Sequence, residues 1–69
     1  MRATEVNKRL QKAGAEMIRQ RGSHQRWRIV RNGTPYFTTV PMHLGDIPQG
    51  TLRSIEQQME PALGKGWLQ

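Results

Sequence analysis

One histidine set among arginines is the combination in this chain best suited to a reaction. His24 follows Gly22 and Ser23, and the arginines of the same segment are Arg19, Arg21, Arg26 and Arg28. Histidine exchanges a proton near neutral pH, because its unperturbed pKa is about 6.5. Arginine binds phosphate through a planar fork of N–H donors. A proton-transfer group within a phosphate-binding surface leads us to the hypothesis of RNA cleavage.

The positive charge is concentrated in that part of the chain. Eight of the 11 lysines and arginines lie within residues 8–31, together with one of the five acidic residues, and the whole chain has a formal net charge of +6. Such a cluster favours a polyanion, because neutralising phosphates releases condensed counterions. We therefore expect contact with nucleic acid, with an acidic protein partner as the main alternative.

The length and composition restrict where a site can lie. A chain of 69 residues predicts one small domain, which has no room for a deep cavity in addition to a core, so we expect a surface site. The absence of cysteine excludes disulfides, thiolate nucleophiles and thiolate zinc sites. Because no apolar run follows residues 1–5, we expect a cytoplasmic protein with no signal peptide and no membrane contact.

Side-chain alternation predicts a strand over residues 24–31. Because successive side chains of a strand point to opposite faces, Trp27 and Ile29 are expected in the core. The even positions then form a row on the other face, which faces solvent or a partner: His24, Arg26 and Arg28.

Two further strands complete an antiparallel sheet. Asn32-Gly33 predicts a tight hairpin turn, since both residues tolerate positive φ, and a returning strand follows over residues 36–40. Residues 15–21 predict the other strand. Its inward face is undecided, because the apolar residues Met17 and Ile18 are adjacent rather than alternating.

Two helices flank the strands. Apolar residues at helical spacing predict a helix over residues 4–13, with Thr4 as N-cap and Gly14 as the stop. The same spacing predicts a second helix over residues 51–59, ended by Pro61.

The predicted fold is therefore α+β, in the order α-β-β-β-α, with both helices on the face that carries Trp27. We divide the chain into a domain over residues 1–60 and a C-terminal tail over residues 61–69. In the tail, Trp67 serves either as a lid on the core or as a partner contact.

Three stretches resemble the HicA family of bacterial messenger-RNA interferase toxins. They read LQKAG over residues 10–14, RQRGSH over residues 19–24, and VPMH over residues 40–43 followed by GTLRSI over residues 50–55. The resemblance covers residues 4–60. It implies a fold like a double-stranded-RNA-binding domain, ribosome-independent RNA cleavage without a metal or cofactor, and inhibition by a HicB-type antitoxin. It also places the family's catalytic histidine on His24.

The hypothesis for the reaction is that His24 takes the proton of a ribose 2′-hydroxyl, which attacks the adjacent phosphate. Arg26 and Arg28 are the first candidates for phosphate binding, because they share the predicted face of His24. The further candidates for RNA contact are Arg21, Lys12 and Ser23.

Three interpretations remain open for the chain as a whole. It is a ribonuclease toxin, a non-catalytic RNA-binding module in which His24 is incidental, or a basic protein that docks an acidic partner. His43, the second histidine, is expected to have a structural role in a loop.

Overall fold

The computed structural model describes residues 1–42 and 45–69, so the predicted role of His43 lies outside the described residues. The elements follow the order α1 (Ala3–Lys12), β1 (Glu16–Arg21), β2 (His24–Arg31), β3 (Thr34–Pro41) and α2 (Gln49–Leu63). The strands form one antiparallel sheet in the order β1-β2-β3. The predicted α+β class and element order are confirmed.

The hairpin between β2 and β3 turns at the predicted dipeptide. Asn32 and Gly33 have φ values of 53° and 78°, and positive φ at both central residues is the pattern of a type I′ turn. Arg31 pairs directly with Thr34 across this turn. Because a two-residue turn continues the ladder without a gap, β3 begins two residues earlier than predicted.

A bulge in β1 explains why the sequence left its inward face undecided. Met17 pairs with Trp27 and Arg19 pairs with Arg26, so Ile18 is an extra residue between two consecutive pairs. A bulge of this kind inserts one unpaired residue and shifts the alternation. Two adjacent apolar residues are therefore compatible with one strand, and both Met17 and Ile18 are exposed on it.

The first helix begins one residue before the predicted range, and the prediction of Thr4 as N-cap is wrong. Arg2 is the N-cap residue, and its backbone N–H donates to the Glu5 carboxylate at 3.4 Å. The predicted stop at Gly14 is confirmed. Gly14 has φ 98°, and the Ala15 N–H donates to the Leu10 carbonyl at 2.9 Å, as in a Schellman motif.

The second helix continues through Pro61, so the prediction that Pro61 ends it is wrong. A proline in a helix removes one backbone hydrogen bond. Continuation nevertheless packs Ala62 and Leu63 against the core, and burial of apolar surface offsets the lost bond. The helix ends at Gly64, whose φ is 93° and whose N–H donates to the Glu60 carbonyl at 2.8 Å.

Both helices lie on the sheet face that carries Trp27 and Ile29, as predicted. These two side chains are 2% and 3% exposed. The hydroxyl of the fully buried Thr38 donates to Gln58 of α2 at 2.7 Å, which anchors that helix on β3. The rest of the core comes from α1, β3, α2 and the segments outside the helices and strands: Ala3, Val6, Leu10, Ala15, Val40, Ile47, Ile55, Met59 and Leu68.

The segment after α2 folds back onto both helices. Leu68 is buried in the core, and the Trp67 indole N–H donates to the Glu56 carbonyl of α2 at 2.8 Å. The Arg9 guanidinium of α1 donates to the carbonyls of Leu68 and Gln69, both at 2.9 Å. Of the two roles left open for Trp67, the structure shows the lid on the core.

Candidate functional site

The sheet face opposite the helices carries the histidine and four arginines. Residues paired across an antiparallel sheet share a face, so the register determines which side chains lie together. We call this surface the open face and define it by these residues: Arg19, Arg21, His24, Arg26, Arg28, Phe37 and Thr39.

His24 is the first residue of β2 and lies beside a tight turn. Its cross-strand partners are Arg21 on β1 and Pro41 on β3. Gly22 has φ 55°, and positive φ at the first of two central turn residues is the pattern of a type II′ turn. Because the turn has only two residues between Arg21 and His24, these two residues pair directly, and their side chains are neighbours on the open face.

Ser23, the second residue of this turn, is half-buried. Its carbonyl accepts a hydrogen bond from the Met42 N–H at the end of β3. The turn is therefore fixed to both outer strands, which holds the start of β2 in place.

A row of amide side chains supports the same turn from the helix side. Asn7 of α1 donates to the Gln25 side chain at 2.7 Å, and Gln25 donates to Gln20 at 3.3 Å. Gln20 then donates to the Gly22 carbonyl at 3.1 Å. These contacts link α1 to the turn, and they place Gln25 on the face opposite His24, as alternation requires.

Arg26 is the most constrained arginine of the open face. Its guanidinium stacks over the Phe37 ring, with 5.1 Å between the guanidinium carbon and the ring centroid. One of its N–H groups donates to the Thr39 hydroxyl at 2.9 Å. A guanidinium has five donors, so this arrangement fixes its plane and leaves donors for an anion.

The arginines of the open face are not neutralised by salt bridges. Among residues 1–42 and 45–69, one ion pair is formed within 4.0 Å. It joins the Asp46 carboxylate to the N-terminal amine, at 3.9 Å, and involves none of these arginines. The acidic residue that lies beside these arginines in the sheet is Glu16, which pairs with Arg28. Arg28 therefore has an acidic register partner, whereas Arg21 pairs with His24, and Arg26 with Arg19 and Thr39.

Comparison with known proteins identifies the family. A family model described as the HicA toxin of bacterial toxin–antitoxin systems matches residues 3–60 of the 69-residue chain. The chain belongs to the HicA toxin family. It is thus the toxin of a toxin–antitoxin pair, and its family membership implies an antitoxin partner. No curated protein and no solved structure matches the chain.

The predicted contact residues of this HicA toxin fall in three places, one of which is the turn that holds Ser23. Arg21, Arg26 and Arg28 share the open face with His24. Lys12 is the last residue of α1, the helix that packs on the opposite side of the sheet. Lys12 is therefore separated from the histidine by the sheet, and its contact with RNA stays a prediction.

Two residues of the open face were missing from the sequence prediction, Phe37 and Thr39. Both are contacts of Arg26. The signal that places them on this face is the Asn32-Gly33 turn, because counting outward from the pair of Arg31 and Thr34 places Phe37 opposite Arg28 and Thr39 opposite Arg26.

In the described part of this HicA chain, neither helix is long and apolar enough to cross a membrane. Over the same residues, no three side chains of His, Asp or Glu come together as metal ligands do.

Proposed function

We propose that this HicA toxin is an mRNA endoribonuclease, independent of the ribosome and of metal ions, with His24 as general base. The observation that carries the proposal is the placement of His24 beside Arg21 on a face that bears four arginines. A base next to fixed phosphate-binding donors is the arrangement that phosphodiester cleavage by the ribose requires.

In the proposed reaction, the neutral imidazole of His24 accepts the proton of a ribose 2′-hydroxyl. The 2′-oxygen then forms a bond to the adjacent phosphorus as the bond from phosphorus to the 5′-oxygen breaks. The departing 5′-oxygen takes up a proton from solvent and His24 releases its own to solvent, which leaves a 2′,3′-cyclic phosphate and a 5′-hydroxyl. A positioned general base contributes a rate factor of about 10²–10⁴.

The arginines would bind the phosphate whose negative charge grows during the attack. Arg21 faces His24 directly, and Arg26 lies two residues along the same strand, about 7 Å away at the usual rise of a β-strand. Arg26 is held in place before any ligand arrives, and fixed donors stabilise developing charge without a reorganisation cost.

We further propose that the partner is a HicB-type antitoxin that covers the open face. Cationic groups without carboxylate partners and exposed apolar side chains such as Phe37 and Val30 suit a partner that is acidic and partly apolar. Covering this surface would block RNA binding and cleavage together. A complex that left His24 solvent-exposed would contradict this placement.

The test compares wild type with His24→Ala on purified RNA in the presence of a chelator. We expect wild type to cleave and to leave 2′,3′-cyclic phosphate ends, and we expect His24→Ala to bind the RNA without cleaving it. Lys65→Ala is a matched control, because it removes an exposed cation far along the chain from β2. If wild type binds but never cleaves, the non-catalytic RNA-binding module is the correct interpretation.

A further inference from the structure

Phe37 is an aromatic side chain that the fold does not bury. Its neighbours in β3, Thr38 and Val40, point to the helices and are fully buried, whereas Phe37 is 37% exposed on the open face. Burial in the core does not account for an aromatic ring at this position. Its contact with a guanidinium suggests another use.

The Arg26 guanidinium lies over the Phe37 ring, so the two groups form one stack on the open face. The guanidinium is held against the ring at 5.1 Å by stacking and is secured at its edge by the 2.9 Å hydrogen bond to Thr39. Aromatic rings and guanidinium planes are the two protein groups on which nucleobases stack. This surface also has the positive charge that attracts a phosphate backbone.

We propose that Arg26 and Phe37 form a nucleobase-binding subsite for the nucleotide next to the cleaved bond, with Thr39 as a positioning residue. The proposal rests on the proposed function, because it takes RNA to be the ligand of the open face. The subsite explains the exposure of Phe37 and the constrained guanidinium as parts of one binding surface.

The subsite requires unpaired RNA. A base inside a duplex has both of its faces covered by neighbouring base pairs, so it cannot stack on a protein side chain without leaving the helix. The separation of about 7 Å between His24 and Arg26 along β2 is twice the 3.4 Å spacing of stacked nucleotides. The proposed subsite therefore expects an RNA strand that is extended and unstacked at this position.

The test measures binding to an RNA that cannot react. A labelled 12-nucleotide strand with 2′-O-methyl riboses lacks the attacking hydroxyl, and the same strand annealed to its complement provides the duplex. The variants are Phe37→Leu, which keeps an apolar side chain but has no aromatic face, and Phe37→Tyr, which keeps the ring. Val30→Ala is the matched control, because Val30 is another exposed apolar residue on this side of β2.

We expect Phe37→Leu to weaken single-strand binding by a factor of about 5 to 150, the range for loss of one base stack. Phe37→Tyr and Val30→Ala should stay within about twofold of wild type, because both keep an aromatic ring at position 37 on which a base can stack. Thr39→Val should also weaken binding, because it frees the guanidinium while leaving Phe37 intact. Thr39 is half-buried, and Thr39→Val removes only its hydrogen bond to Arg26. It therefore serves as the second variant if Phe37→Leu lowers the thermal stability.

The proposal is overturned if Phe37→Leu binds the single strand as wild type does, if the duplex binds equally well, or if Phe37→Leu weakens only the antitoxin complex. Failure of the proposed nuclease activity is a separate result, since it is read as intact RNA in the cleavage assay. Binding of the non-reactive strand does not depend on cleavage, so the two failures are distinguishable.

Discussion

His24 and Arg21 face each other as direct cross-strand neighbours on either side of the Gly22-Ser23 turn. The proton-transfer group and a phosphate-binding group are thus positioned by the shortest connection that an antiparallel sheet allows. No helix or long loop has to pack correctly to bring them together, and the geometry follows from the local sequence.

The arginines of the open face should differ in their effect on cleavage. We expect Arg21→Ala and Arg26→Ala to lower the cleavage rate by about 10²–10³, the usual effect of losing one fixed donor to developing charge. Arg28→Ala should have a smaller effect, because Glu16 pairs with it in register. Single-turnover rates on a short RNA measure the difference. Lys65→Ala is the control, because it removes an exposed cation outside the open face, and a loss equal to that of Arg21→Ala would contradict the placement of the site on the open face.

Substitution of Gly22 should disturb His24 through the backbone. Gly22→Ala places a Cβ in a left-handed conformation at φ 55°, which costs about 1–2 kcal/mol although no neighbouring atom obstructs it. We expect a lower midpoint of urea unfolding together with slower cleavage. Gly50→Ala is a suitable comparison, because Gly50 lies in the first turn of α2, where alanine favours the helix. Unchanged stability in Gly22→Ala would contradict the assigned turn geometry.

The salt dependence of RNA binding should report the number of arginines engaged. For single strands, each neutralised phosphate contributes about −0.7 to the slope of log K against log salt concentration, so four arginines predict a slope of about −3. Titrations of the non-reactive strand between low and moderate salt measure it. Each open-face Arg→Ala variant should reduce the magnitude of the slope by about 0.7, whereas the control variant Lys65→Ala should leave it unchanged.

The segment after α2 should be part of the cooperative fold. Leu68→Ala removes a buried side chain and should lower the free energy of unfolding by about 2–5 kcal/mol, a large share of the stability of so small a domain. Trp67→Phe keeps an aromatic ring but loses the hydrogen bond to Glu56, for which we expect about 0.5–1.5 kcal/mol. Urea unfolding measures both, with Gln57→Ala on the exposed side of α2 as the control. An unchanged unfolding midpoint in Leu68→Ala would show that the segment is not part of the folded unit.

The sequence was sufficient to predict the row of His24, Arg26 and Arg28, because strand alternation and the Asn32-Gly33 turn are local signals. The continuation of α2 past Pro61 was not predictable in this way. It depends on the burial of Ala62 and Leu63 against a core that forms only in three dimensions. In that case tertiary packing outweighs a local preference.

In the candidate site, too, local sequence signals predicted some features and tertiary packing determined the others. The contact of Arg26 with Phe37 joins residues on different strands, so alternation within one strand does not reveal it. The direction of Lys12 depends on how α1 is rotated over the sheet, which is set by contacts such as that of Asn7 with Gln25. The residue types indicated proton transfer and phosphate binding. The strand register and the helix packing determined which of these residues lie together on the open face.

The extra residue at Ile18 has a consequence for how these molecules meet one another. β1 is an outer strand of the sheet, and an outer strand with a regular row of free N–H and carbonyl groups can recruit a strand from another molecule. The bulge interrupts that row, and the cations of Arg19 and Arg21 repel an identical copy. The bulge and the two cations therefore disfavour pairing of β1 with the same strand of an identical copy.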